Sequence, residues 1–145
     1  MDKIIIHTDG GSRGNPGPSA IGVVIDLGAR GIKEYAEFLG RRTNNEAEYE
    51  AIVFALKKTK ALIGKEKASR AHIVVRTDSE LAGSQLRGEF KIMEQSFYPL
   101  FIAIWNLKQD FKQVLFETIP REKNKRADTL VNRALNAELK PSKLF

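Results

Sequence analysis

Apolar residues follow two rhythms along this chain, short runs in its first third and mostly helical spacings after that. Lys3-Ile4-Ile5-Ile6-His7-Thr8-Asp9 is an apolar run stopped by Gly10-Gly11, which predicts a first strand ending at Asp9. Residues 10–18 are rich in turn formers. Strand patterning returns over residues 20–25 and, after a turn at 26–31, over 32–39, where Ile32, Glu34, Ala36 and Phe38 share one side. Three such strands with short connections predict an antiparallel meander.

Thr43 or Asn44 is placed to cap a helix with Glu46 and Glu48 in its first turn, and the helical period lasts to about residue 60. A linker at 64–70 leads to Ala71-His72-Ile73-Val74-Val75-Arg76-Thr77, a fourth strand. Asp78 follows and is expected to cap a short helix reaching residue 86. Residues 96–108 form a further helix holding Leu100, Ile104, Trp105 and Leu107, with Trp105 expected in the core. A last strand (113–119), a polar loop (120–125) and a last helix (126–139) follow, and the tail 140–145 is expected to fray. This order gives an α/β fold of one domain, residues 1–139, beyond which lies the tail. Its five-stranded mixed sheet has three antiparallel strands, then parallel ones, with helices on both faces. Strands separated by a helix run parallel, so those ending at Asp9 and Asp78 send their carboxyl ends the same way. That edge is where open α/β sheets build sites.

Composition narrows the function. The 145 residues suffice for one core, and the absence of cysteine excludes disulfides and cysteine-ligated zinc. No apolar run approaches the ~20 residues of a membrane span, and the chain enters its first strand without the features of a signal peptide. A monomer in the cytoplasm is the expectation. A net charge of +6 and a pI near 9.6 make a polyanionic partner plausible.

Four carboxylates stand out. Asp9 and Asp78 each follow an apolar strand in the same Thr-Asp-small sequence, at the ends of two strands expected to be neighbours. Glu48 shares a helical stripe with Ala51, Ile52, Ala55 and Leu56, whereas Glu46, Glu50 and Lys57 fall on the opposite, solvated side. Asp128 opens the last helix beside Leu130, Val131, Ala134 and Leu135. Each has an ordinary structural account: a turn for Asp9, an N-cap for Asp78, and the helix dipole for the two first-turn acids. Together they are expected to converge on one sheet edge without a Lys or Arg in a fixed partner position. Like charges at close range are costly unless cations neutralise them, and an all-oxygen set suits Mg²⁺ or Mn²⁺. Two such ions are a standard device for cutting a phosphodiester.

Four stretches resemble the type 1 ribonuclease H family. They are Thr8-Asp9-Gly10-Gly11-Ser12-Arg13-Gly14-Asn15-Pro16-Gly17-Pro18, Thr43-Asn44-Asn45-Glu46-Ala47-Glu48-Tyr49, Thr77-Asp78-Ser79 and Asn124-Lys125-Arg126-Ala127-Asp128. Their order and spacing match over residues 3–139. The resemblance implies a ribonuclease H-like fold and an endoribonuclease that cuts the RNA strand of RNA–DNA hybrids, leaving 5′-phosphate and 3′-hydroxyl ends. It implies two Mg²⁺ or Mn²⁺ ions held by Asp9, Glu48, Asp78 and Asp128, with Asp9 shared. It also implies hybrid contacts at Gly11, Ser12, Asn15, Asn44 and Asn45, the last two also candidates for helix capping. Double-stranded RNA is a second candidate substrate, and a binding module with a degenerate site is disfavoured because all four carboxylates are present. Two features depart from the pattern. The loop before Asp128 lacks the histidine many members carry, and Arg121 stands there as a catalytic candidate, a fixed cation suited to steering phosphate rather than shuttling protons. Residues 87–98 hold only Arg87 and Lys91 as basic residues, so the basic handle of some members is missing. His7 and His72 read as packing or edge residues.

Overall fold

The structure is a computed structural model that describes residues 3–139; the predicted tail, 140–145, lies outside them. Strands β1 (Lys3–Ser12), β2 (Gly17–Asp26) and β3 (Ile32–Arg42) form the expected antiparallel meander, and β4 (His72–Thr77) and β5 (Gln113–Thr118) lie parallel to β1. The sheet order is β3-β2-β1-β4-β5, which puts β1 at its centre. Helices α1 (Asn44–Ile63), α2 (Lys65–Ala68), α3 (Glu80–Leu86), α4 (Tyr98–Lys108) and α5 (Lys125–Glu138) complete the described chain. The segment read as a plain linker therefore contains the short helix α2.

Two glycines that were expected to turn the chain lie inside β1 instead, which runs past Asp9 and pairs with β2 as far as Ser12 and Ser19. The reason is close packing. A Cβ at Gly10 would lie 2.3 Å from the Ala47 backbone in α1, so only glycine lets that helix settle on the strand. Successive strand residues face opposite sides. At Gly11 a Cβ would accordingly meet Val131 of α5, at an ordinary 3.5 Å. One dipeptide thus reports that α1 and α5 cover opposite faces.

On the α1 face, Ile4, Ile6, Ile52, Leu56, Ile73 and Val75 belong to one continuous core. On the α5 face, Ala20, Val131 and Leu135 form a small separate cluster. The prediction for Trp105 fails. It is 54% exposed, as are Tyr98 and Ile102 to similar degrees, and Ile104 alone on α4 is fully buried. Apolar residues surround α4 on most sides, so their spacing did not single out the inner one. His7 is half-buried in β1, and His72 at the start of β4 places Nδ1 3.1 Å from Gln113 Oε1 on β5, packing and edge positions as expected.

Candidate active site

The site forms where the sheet changes width. The β1–β4 ladder stops at Thr8 and Thr77, while β1 continues along β2 alone. Beyond the end of β4, the Gly10 N–H donates to Glu48 Oε1 at 2.8 Å and to Asp9 Oδ1 at 3.0 Å. Two carboxylates from distant parts of the sequence share one backbone donor.

Glu48 is positioned by the start of α1. Thr43 is the N-cap: its hydroxyl accepts from the Glu46 N–H at 3.1 Å, and the Glu46 carboxylate accepts from the Thr43 N–H at 2.8 Å. Neither Asn44 nor Asn45 caps. Glu46 and Glu50 are not the plain solvated charges the helical wheel suggested. The first completes the capping box, which holds its carboxyl below the usual range, and the second pairs with Arg42 Nε at 2.6 Å. Glu48 itself continues the buried stripe, as its spacing from Ala51 and Ile52 predicts.

Asp78 does not cap α3. That role falls to Ser79, whose hydroxyl accepts from the Ala82 N–H at 3.1 Å. Asp78 is left free to join the others, and Asp9, Glu48 and Asp78 bring carboxylate oxygens within 4.8 Å of one another. Asp128 lies in the first turn of α5, exposed, on the same cleft of about 460 Å³. A residue that sequence reading gave no role holds that turn in place. Asn124 is buried and donates from Nδ2 to the Thr8 carbonyl at 2.8 Å, pinning the start of α5 to β1.

The expected substrate residues interlock beside this cluster. The Ser12 N–H donates to Asn44 Oδ1, and the Asn44 N–H donates to Asn15 Oδ1, each at 2.9 Å. The turn after β1 is thereby latched to the tip of α1. Gly11, Ser12, Asn44 and Asn45 line the cleft with the carboxylates, Asn15 lines the adjoining hollow, and Arg121 stands exposed on the rim. Arg87, in the region where a handle would be, is spent on structure: it donates to the Phe116 carbonyl and Thr118 of β5 and pairs with Glu89.

Electrostatically the cluster is strained. Burial, followed by repulsion from Asp78 and Asp128, raises the Asp9 carboxyl to about 8. Burial and then the Asp9 and Asp78 charges push Glu48 well above the ordinary range. Among the described residues no Lys or Arg forms an ion pair with any of the four. Uncompensated charge on a set of oxygen donors fits a hard divalent cation.

Comparison with known proteins agrees with this arrangement. A family model described as "Reverse transcriptase-like" matches residues 7–134. LC11-RNase H1, solved in complex with an RNA/DNA hybrid, is 42% identical, with a TM-score of 0.87 over 94% of this chain and 99% of that one. The chain belongs to the type 1 ribonuclease H family. RNase H1 of the halophilic archaeon Halobacterium salinarum superposes with a TM-score of 0.84 at 34% identity, covering 93% of this chain and 98% of its own. A bifunctional protein of Mycobacterium tuberculosis is 34% identical over 137 residues, which is 93% of this chain but only 36% of that protein. The chain thus spans about a third of the length of this mycobacterial relative. Among the described residues no helix is long and apolar enough to cross a membrane.

Proposed function

We propose that this chain is a ribonuclease H that hydrolyses the RNA strand of RNA–DNA hybrids, leaving 5′-phosphate and 3′-hydroxyl ends. The observation that carries the reading is the mutual crowding of Asp9, Glu48 and Asp78 with no cationic partner. A stabilising network would pair those charges; this one leaves them to be neutralised from outside. Asp9, Glu48, Asp78 and Asp128 are the residues that would hold two Mg²⁺ or Mn²⁺ ions. Bound there, the ions would supply activation of water and stabilisation of the leaving oxygen.

The chain's own groups do the rest. Gly10 orients Asp9 and Glu48 through its N–H. Ser12, Asn15, Asn44 and Asn45, with Gly11 beside Ser12 in β1, offer amide and hydroxyl groups that can read 2′-hydroxyls across the wide minor groove of an RNA-containing duplex. Their linked hydrogen bonds hold that surface in shape before substrate arrives. Arg121 on the rim attracts the phosphate near the cut. A guanidinium keeps its proton, so Arg121 stabilises charge and moves no proton. The net charge of +6 favours encounter with a polyanion. The complex of LC11-RNase H1 with a hybrid supports the same substrate class.

An end-labelled hybrid incubated with Mg²⁺ or Mn²⁺, beside single-stranded RNA, double-stranded RNA and double-stranded DNA of the same sequence, tests the proposal. Cutting confined to RNA in a duplex, leaving 5′-phosphates, is the expected result, and the double-stranded RNA arm defines its breadth. Hybrid binding without cutting under either metal would overturn it in favour of a binding module.

A further inference from the structure

Three of the four carboxylates are fixed by the sheet and by α1. Asp128 is not. It sits exposed on α5, a helix seated on the sheet through Ala127, Leu130, Val131 and Leu135. Polar ties supplement that seat. Arg126 forms a two-pronged pair with Glu34 of β3 at 2.6 Å near the start of α5, and Arg13 Nη2 donates to Asn136 Oδ1 at 2.6 Å near its end.

Between those ties lies Asn132, one helical turn after Asp128. Its Nδ2 stands 3.2 Å from the Asp128 carbonyl and 3.5 Å from Asp128 Oδ2, and its Oδ1 stands 3.5 Å from Arg13 Nη2. The amide has one chemically consistent orientation here. A guanidinium only donates and a carboxylate only accepts, so the oxygen must face Arg13 and the nitrogen Asp128. The 3.5 Å contacts exceed ideal hydrogen-bond length, so they steer the carboxylate rather than clamp it. Arg13 in turn begins the turn that carries Asn15, which latches onto Asn44. The substrate surface and the fourth carboxylate are therefore linked through one amide.

We propose that Asn132, backed by Arg13, is a positioning residue for Asp128, holding its carboxylate toward the Asp9 side of the cleft. The inference rests on the reading of Asp128 as a cation ligand. Without the Asn132 amide, an exposed aspartate samples its other side-chain rotamers, and each cation bound must first select the productive one. A partner of this kind contributes to cation affinity and to turnover, and little to hybrid binding. Gln at the same place can still reach a carboxylate one turn away.

The test uses the full chain stripped of metal. Mn²⁺ affinity is measured by calorimetry for the wild type, Asp128→Asn, Asn132→Ala, Asn132→Gln and Arg13→Ala, with melting temperature as a check on folding. KM and kcat for the hybrid are then measured at one sub-saturating Mn²⁺ concentration. Asn132→Ala should weaken Mn²⁺ binding roughly ten-fold and lower kcat while leaving KM for the hybrid little changed. Asn132→Gln should recover most of the affinity, and Arg13→Ala should fall between. Wild-type Mn²⁺ affinity in Asn132→Ala, or a change confined to KM, would overturn the inference while leaving the nuclease reading intact. Wild-type affinity in Asp128→Asn would instead remove the ligand reading, and this inference with it.

Discussion

Helix α1 and helix α5 each bring an acid to the same cleft from opposite faces of the sheet, and they are held there by different means. Under α1, Ile52 and Leu56 close over Ile4, Ile6, Ile73 and Val75, and Glu48 extends that buried stripe. Under α5, Ala127, Leu130, Val131 and Leu135 form the seat, supplemented by exposed polar ties from Arg13 and Arg126 and a buried one from Asn124. The lesson is about division of labour. The α1 face buries Glu48 within a crowded set of carboxylates. The α5 face presents a fourth, exposed carboxylate, Asp128, beside the Asn132 amide.

The comparison can be broken at several points. Asp9→Asn should lower hybrid cleavage by about a thousand-fold or more, the scale lost with several kcal/mol of charge stabilisation, read as initial rates in Mg²⁺. The neighbouring glycines come next. Gly10→Ala forces a methyl into the α1 backbone at 2.3 Å and should cost about 3 kcal/mol or more. Gly11→Ala meets only Val131 at 3.5 Å and should be neutral or slightly stabilising in urea denaturation. Similar losses from both would mean that α1 does not approach Gly10 more closely than α5 approaches Gly11. The matching tight point under α5 is Gly22, where a Cβ would lie 2.1 Å from the Ala127 carbonyl oxygen. Leu56→Ala should cost about 4 kcal/mol and Leu135→Ala about 2 kcal/mol, the smaller seat relaxing more easily around its cavity. The smallest effect belongs to Arg126→Ala, whose surface pair with Glu34 should barely move the denaturation midpoint.

Much of this was visible before folding. Three apolar runs, then alternating helix and strand, specify the mixed sheet, and the stripe from Glu48 through Ala51, Ile52, Ala55 and Leu56 announces a buried acid. What stayed hidden depends on distance across the fold. Gly10 looks like a turn until α1 is seen lying on it. Asp78 and Ser79 are equally good caps by type, and only the backbone path gives Ser79 the role and releases Asp78. Trp105 belongs to a helix apolar on most sides, where period carries little information about which side is covered. Asn132 did leave a signal, a polar amide four residues after Asp128 on the same helix. Its meaning requires Arg13, which is remote in sequence.

The central claim is that the carboxylate cluster costs the fold stability and is relieved by cations. Its sign follows from Asp9, raised to about 8, and Glu48, raised well above its usual range. Between the ordinary carboxylate range near ~4 and the raised value, the folded state holds protons that the unfolded chain releases. Stability therefore falls as pH rises through that window. Melting temperature measured from pH 5 to pH 8, in chelator and with Mg²⁺, tests this directly. The predicted result is a fall with pH in chelator that Mg²⁺ reverses most strongly near pH 8, and a flatter, metal-insensitive profile for Asp9→Asn. A wild-type profile that stays flat in chelator and ignores Mg²⁺ would contradict the account.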